Sequence, residues 1–190
     1  MNLSRSEHLV FNYSDVFFSF HLSEDKRCSS MAHDHYMVYI YSGEYHIVEG
    51  KKRTVIRPGE CVFVRRDNRV NMEKLSKGDE PFRGIFMMLK RPFLREMFQK
   101  IEKKNLPDST CKFKQSAIKL PDTPDITGLF LSLTPYLDRS VKPSEEMIKL
   151  KQIEGIYSLL NIDNSFYPTL FDFTEPWKID LLEFMEQNYM

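Results

Sequence analysis

The sequence predicts a mainly β domain followed by C-terminal helices, and three features of the 190-residue chain support this prediction. Between Asp15 and Leu89, short runs rich in β-branched and aromatic residues recur at intervals of roughly 8–12 residues, a spacing typical of an antiparallel sandwich or barrel. Turn signals separate these runs. Beyond Leu89 the apolar residues adopt helical spacing.

The predicted strands share β-branched and aromatic residues, and they span residues 16–20, 37–41, 45–48, 54–56, 61–64, 70–74 and 82–89. Ser42-Gly43-Glu44 and Glu49-Gly50-Lys51 are typical of hairpin turns. In Arg57-Pro58-Gly59-Glu60, proline with its fixed φ comes before glycine, which adopts backbone conformations that other residues rarely reach, and this order is typical of a turn.

The helical part begins with residues 91–105, where Pro92 suits a first turn. Three prolines make residues 107–124 a loop, with one extended segment near 116–120. Residues 125–137 predict a helix that Pro135 ends or kinks near Thr134. A capped helix start follows at Pro143-Ser144-Glu145-Glu146.

This last helix carries an apolar stripe with 3-4-3 spacing, which consists of Leu150, Ile153, Tyr157 and Leu160. A stripe of about two heptads packs equally well on the barrel or on the same stripe of a second subunit, so both arrangements remain open. The four residues are candidates for a dimer interface.

Composition restricts the class of protein. The 27 basic and 27 acidic residues balance, which argues against a protein that binds nucleic acid over most of its surface. The basic residues are unevenly distributed, since residues 51–114 hold 18 basic and only 8 acidic ones. Three widely spaced cysteines favour a reducing cytoplasm. The N-terminus lacks the apolar core of a signal peptide, and no apolar run reaches the ~18 residues that cross a bilayer. We therefore expect a cytoplasmic protein without membrane contact.

The motif His33-Asp34-His35, followed by a strand, the Ser42-Gly43-Glu44 turn, another strand and residues 57–64, resembles the paired barrel motifs of cupins. It is more specifically similar to the N-terminal part of AraC-type transcription regulators, in which a cupin-like domain precedes two helix-turn-helix units. Residues 177–189 resemble the segment that leads into the first of these units.

The resemblance implies a cupin-like jelly-roll barrel in residues 1–90, then a crossing helix, loop and short helix in 91–139. Residues 140–176 would hold the dimerisation helix and a linker, and 177–190 the start of a truncated helix-turn-helix domain. It further implies a homodimer, controlled by a small-molecule effector or a regulatory protein. Promoter DNA would be bound only through the missing C-terminal domain, and not by this fragment alone.

Metal-dependent cupins bind their ion through a His-x-His pair, a carboxylate four or five residues on, and a histidine on a later strand. His33 and His35 match the pair, but Tyr39 and Ile40 occupy the carboxylate positions and Val70 stands near the later position. His46 lies in a strand from which it would reach inward, yet its spacing matches no metal motif. We therefore predict no metal and no cofactor.

Catalytic motifs are also missing from the sequence, since there is no Gly-x-Ser-x-Gly, no His-Glu-x-x-His and no phosphate-binding glycine loop. Cys61 opens a strand after a turn, a position typical of a buried small residue. We predict a regulatory domain and no enzyme. The alternatives are a metal-dependent cupin oxygenase or isomerase with an atypical site, and a cyclic-nucleotide sensor, whose phosphate cassette would need an arginine after Pro58-Gly59-Glu60.

The barrel interior is expected to be apolar, aromatic and rich in methionine. Its predicted lining comprises Met37, Tyr39, Tyr41, Phe63, Val70, Met72, Phe86 and Met88. Such an interior either encloses a small ligand or is filled by its own side chains. The candidate ligand-binding residues are His33, His35, Tyr39, Phe63, Val70 and Met72.

Overall fold

The computed structural model describes residues 7–13, 15–21, 26–77, 80–101, 111–137 and 142–174. Ten strands lie in this part of the chain: β1 (Glu7–Tyr13), β2 (Val16–His21), β3 (Lys26–Ala32), β4 (His35–Ser42), β5 (Glu44–Glu49), β6 (Lys52–Ile56), β7 (Cys61–Val64), β8 (Asn68–Leu75), β9 (Phe82–Leu89) and β10 (Ala117–Lys119). Seven of them coincide with the predicted runs, and β10 with the extended segment predicted after the loop. The prediction of a mainly β protein is confirmed.

The strands build two antiparallel sheets, not one closed barrel. The six-stranded sheet has the order β1-β2-β9-β4-β7-β10, and the four-stranded sheet has the order β3-β8-β5-β6. This arrangement of β2 to β9 is that of a jelly roll, in which consecutive strands alternate between the two sheets except for the β5–β6 hairpin. Strand β10 extends the larger sheet by pairing with β7, so the chain beyond residue 90 also contributes a strand to it.

Glycine is required at the turn between β4 and β5. Gly43 has a φ of +74°, in the left-handed region that residues with a Cβ rarely adopt. A Cβ at this position would also collide with the carbonyl oxygen of Leu75. The turn moves the chain from the six-stranded to the four-stranded sheet within three residues, which explains why the predicted hairpin does not join two strands of one sheet.

Among the described residues, four helices and one 3-10 turn follow or interrupt the strands: α1 (Arg91–Lys100), α2 (Pro124–Leu131), the 3-10 turn Thr134–Leu137, α3 (Glu145–Ile162) and α4 (Phe166–Leu170). Ser144 caps α3 through its side-chain oxygen, which accepts a hydrogen bond from the backbone N–H of Met147 at 3.2 Å. The predicted break near Thr134 is confirmed, since α2 gives way there to the 3-10 turn. The amphipathic segment predicted for residues 177–190 lies outside the described residues.

The strands β4, β7 and β9 of the six-stranded sheet are buried on both faces. Val38, Ile40 and Val62 point toward the four-stranded sheet and pack with Tyr45 and Ile47 in the core between the sheets. The alternate residues of the same strands point the other way, into a second core that they share with the helices. This helix-side core includes Met37, Tyr39, Phe63, Ile85, Met87, Leu94, Ile126, Phe130, Ile156, Leu159 and Phe166.

The predicted lining of the barrel was therefore partly wrong. Phe86 and Val70 belong to the core between the sheets, with Met72 and Met88 packed against it. Met37, Tyr39, Tyr41 and Phe63 belong to the helix-side core or pack against it. Both faces of these strands are apolar, so a two-residue alternation does not tell which face is inside.

We expect Phe130→Ala to lower the free energy of unfolding by about 3–5 kcal/mol, the range for truncating a buried phenylalanine. Phe130 is completely buried between α2 and the sheet, whereas its neighbour Leu131 is 50% exposed. Leu131→Ala is therefore the matched control, with an expected loss below about 1 kcal/mol. Urea unfolding checks both variants, and equal losses would show that α2 does not cover the sheet as described.

Candidate functional site

His35 begins β4 at one end of the six-stranded sheet, where the apolar layers give way to polar residues. Its imidazole is only 2% exposed and stacks on Phe63 with a centroid distance of 5.3 Å. Its Nδ1 accepts a hydrogen bond from the backbone N–H of Arg66 at 3.1 Å. Because Nδ1 is the acceptor, the neutral ring carries its proton on Nε2.

The environment of His35 disfavours its charged form. Burial lowers its pKa from 6.5 to about 3, with help from the positive charges of Arg66 and Arg65, against a weaker opposing effect of the Thr169 backbone and Asp172. At neutral pH the imidazole is therefore a neutral donor at Nε2. Within the described part of the chain, no group accepts a hydrogen bond of normal geometry from this nitrogen.

Arg66 lies beside His35 in the connection between β7 and β8. Its side chain is 6% exposed, a rare position for a cation. The Nε is 3.3 Å from Oδ2 of Asp67, a residue whose φ of +59° turns the chain sharply at this point. The Nη1 is buried and has no hydrogen-bond partner among the described residues. Burial, together with the charge of Arg91, lowers the pKa of Arg66.

A cavity of about 150 Å³ adjoins these groups. The β7–β8 connection forms one wall and the segment around and after α4 forms the other, and its lining residues are His35, Arg65, Arg66, Asp67, Asn68, Lys112, Thr169, Asp172 and Thr174. Such a volume exceeds the space that one water molecule needs by about tenfold. It is large enough for a small molecule or the polar group of a larger one.

An ion pair also belongs to the lining of the cavity. Lys112 Nζ lies 2.6 Å from Oδ2 of Asp172. Burial by itself would raise the pKa of Asp172, but its hydrogen bonds with Lys112 and Thr174 outweigh this effect and lower the pKa to about 2. Thr169 is also engaged, since its hydroxyl donates to the carbonyl oxygen of Ser165 at 2.7 Å.

The predicted ligand-binding residues are distributed over several places. His35 and Phe63 are in contact with each other, and His35 lines the cavity. Tyr39 stacks on Phe130 at 5.1 Å in the helix-side core, while Val70 and Met72 lie between the sheets. His33 is exposed, so it and the buried His35 lie in different environments.

His46 does not reach inward as expected. Its neighbours Tyr45 and Ile47 point into the core between the sheets, and its Nε2 lies 2.8 Å from Oε2 of Glu44. Across the described residues, no group of three or more histidine, cysteine, aspartate or glutamate side chains is arranged to hold a metal ion. Likewise, no helix in that part of the chain is long and apolar enough to cross a membrane.

The residues that make the cavity polar were missed by sequence reasoning. Arg65 and Arg66 follow directly on the apolar strand β7, and this pair of arginines was a usable signal. Lys112, Thr169 and Asp172 join them only through the packing of α4 and the segment before β10. No spacing in the sequence indicates that juxtaposition.

The predicted dimer stripe on α3 is divided by the fold. Leu150 and Tyr157 are 57% and 46% exposed, whereas Ile153 and Leu160 pack against the helix-side core. Met147, one turn before Leu150, is also exposed. At 3.6 residues per turn these three exposed residues lie on the face of α3 opposite to buried Gln152 and Leu159.

Solved structures of ToxT from Vibrio cholerae share the fold of this chain. The structure of wild-type ToxT bound to an unsaturated fatty acid matches with a TM-score of 0.60 and 14% identity, over 99% of this chain and 65% of that one. ToxT bound to a naphthalenyl butenoic acid matches with a TM-score of 0.58 and 15% identity, over 97% of this chain and 66% of the other. The chain thus spans about two thirds of the length of ToxT. Comparison with curated protein sequences gave no match.

The fold that this chain shares with ToxT is cupin-like. The family model of the ExsA N-terminal regulatory domain matches residues 35–167. The chain therefore belongs to the family of ExsA N-terminal regulatory domains. This confirms the resemblance to AraC-type regulators and the regulatory function inferred from the sequence.

His35 should make stability depend on pH. The unfolded chain takes up a proton on this residue as the pH falls through 6.5, whereas the native imidazole stays neutral down to about pH 3. Between pH 6.5 and about pH 3, each decrease of one pH unit therefore lowers the free energy of unfolding by up to about 1.4 kcal/mol. In His35→Gln, which cannot titrate, this component disappears.

Urea unfolding of both proteins at pH 7.5, 6 and 5 checks this expectation. Other titrating groups contribute to both curves, so the difference between the wild type and His35→Gln isolates His35. A constant difference over this range would contradict the proposed neutral imidazole.

Proposed function

We propose that this domain senses a signal and dimerises on behalf of an AraC-type transcription factor. The observation that carries the proposal is the exposed apolar face of α3, made by Met147, Leu150 and Tyr157. Neighbouring exposed apolar side chains often mark a surface that meets another protein, and on this face the exposed Glu154 stands between Leu150 and Tyr157. Promoter binding would belong to a separate DNA-binding domain, and this domain by itself would not bind the operator.

A second copy of the chain is the proposed occupant of this face. In a two-fold dimer one surface meets itself, so a single helix can supply both halves of the contact. The opposite face of α3 is anchored to the sheet, where Gln152 Nε2 donates to the carbonyl oxygen of Met88 at 2.7 Å. The helix is therefore held in place for such a contact.

The sensing role is supported by family membership and by ToxT, which binds an unsaturated fatty acid in one of its structures. In this chain the polar cavity beside His35 is the place that we propose for a small-molecule effector. A regulatory protein that contacts the domain remains the other form of signal. We place the domain in the cytoplasm, where a regulator of transcription reaches its promoter, and we assign it no catalytic role.

Replacing both Leu150 and Tyr157 with glutamate should convert a dimer into a monomer, because a two-fold contact would bring like charges together in an apolar interface. Both side chains are about half exposed, so the variant should keep its fold. Light scattering of the 190-residue chain measures the mass, and metal analysis of the same sample tests the cupin-enzyme alternative.

Lys51→Gln combined with Lys114→Gln is the matched control, because both lysines are exposed and the net charge changes by the same amount. This control should remain a dimer. A wild-type monomer, or a dimer that survives both glutamates, would refute the α3 interface.

A further inference from the structure

Two buried hydrogen-bond donors beside the cavity are not in a well-formed hydrogen bond with any described residue, and only the backbone of Thr169 lies close enough to act on His35 as an acceptor. Arg66 Nη1 and His35 Nε2 both lack a partner of normal geometry within the part of the chain that the structure describes. An unmatched buried donor costs stability, and the cost is larger when the group is charged. Both groups belong to the lining of the same cavity.

The carboxylates of the cavity do not satisfy these donors. Asp67 lies 3.3 Å from Arg66 Nε and 4.0 Å from Arg91, so it pairs with another edge of the guanidinium. Asp172 is paired with Lys112 at 2.6 Å. The lining holds three cationic side chains, those of Arg65, Arg66 and Lys112, against these two anionic ones.

The missing partner is therefore an acceptor with negative charge. A cation would be repelled by the excess positive charge of the lining, and a neutral hydroxyl would leave that excess uncompensated. An oxyanion supplies several acceptor oxygens at once and forms charge-assisted hydrogen bonds with a guanidinium, which are about twice as strong as neutral ones.

We propose that this cavity is a binding site for a small oxyanion, a phosphate or carboxylate group, held by Arg66 Nη1 and His35 Nε2 and attracted by Arg65 and Lys112. The inference rests on the proposed sensing function and gives the chemical class of the effector.

The position of the site provides a route for regulation. His35 and Arg66 belong to the sheet and its β7–β8 connection, whereas Thr169, Asp172 and Thr174 belong to α4 and the residues after it. An anion bound between these walls would hold the segment after α4 against the sheet. That segment precedes residues 177–189, which resemble the lead into a DNA-binding domain.

Titration of the 190-residue chain with sodium phosphate, and separately with sodium acetate, tests the site. Sodium chloride at equal ionic strength is the control. We expect saturable binding of one anion per chain by calorimetry and a rise in melting temperature. Binding of phosphate only, of acetate only, or of both would support the site and identify the anionic group. Binding of neither would overturn it.

Arg66→Gln should weaken binding by about tenfold or more, since it removes a charged hydrogen bond to the anion. Without phosphate, loss of the buried charge and loss of its ion pair with Asp67 act on stability in opposite directions. Arg57→Gln, at an arginine that is exposed and outside the cavity, is the control and should bind like the wild type. Equal affinity of the Arg66→Gln variant and the wild type would overturn the site.

Lys112→Ala provides a second variant in case Arg66→Gln does not fold, since Lys112 is about half exposed. It should weaken phosphate binding several-fold by leaving Asp172 unpaired near the anion, and unchanged affinity would count against the site. The mass of each sample, measured by light scattering, shows whether the chain is a dimer, so the dimer proposal and the anion-site proposal can fail independently. A dimer that binds neither anion refutes this inference alone, whereas a monomer that binds phosphate refutes only the dimer.

Discussion

The six-stranded sheet packs against the second sheet on one face and against the helices on the other, and the remaining structure depends on this double burial. The strands β4, β7 and β9 must then present apolar side chains in both directions, as β4 does with Val38 on one side and Tyr39 on the other. A sheet buried in this way positions the helices directly, since each of α1 to α4 places buried residues against it or in the core that they share. The helices are part of the same folded unit as the strands.

At the end of this sheet the apolar layers stop, and His35 and Arg66 take their place. Both are buried, and both hold an unmatched donor among the described residues. A fold selected only for stability would replace such a cation with an apolar residue, because its desolvation is expensive. Buried titratable groups that have a shifted pKa and lie beside a cavity are typical of functional sites. The exposed stripe of α3 is the second feature that packing within one chain does not explain.

Most strands could be predicted from the sequence, and the reasons for the exceptions are physical. Strand β3, with the sequence KRCSSMA, lacks the β-branched and aromatic residues that mark the other strands. Helix α4 has five residues and contains Pro168, so it has no periodicity to detect. Of the candidate site residues, only His35 lines the cavity. Tyr39 was assigned to the wrong face because both faces of β4 are apolar.

The local pattern of residues thus determined the strands, their turns, the start of α3 and the resemblance to AraC-type regulators, because each depends on neighbours in the chain. The tertiary structure decided which face of the large sheet meets the helices and which residues of the α3 stripe stay exposed. It also decided that Arg66, Lys112 and Asp172 surround one cavity. These features depend on contacts between residues far apart in sequence, and no local spacing encodes such contacts.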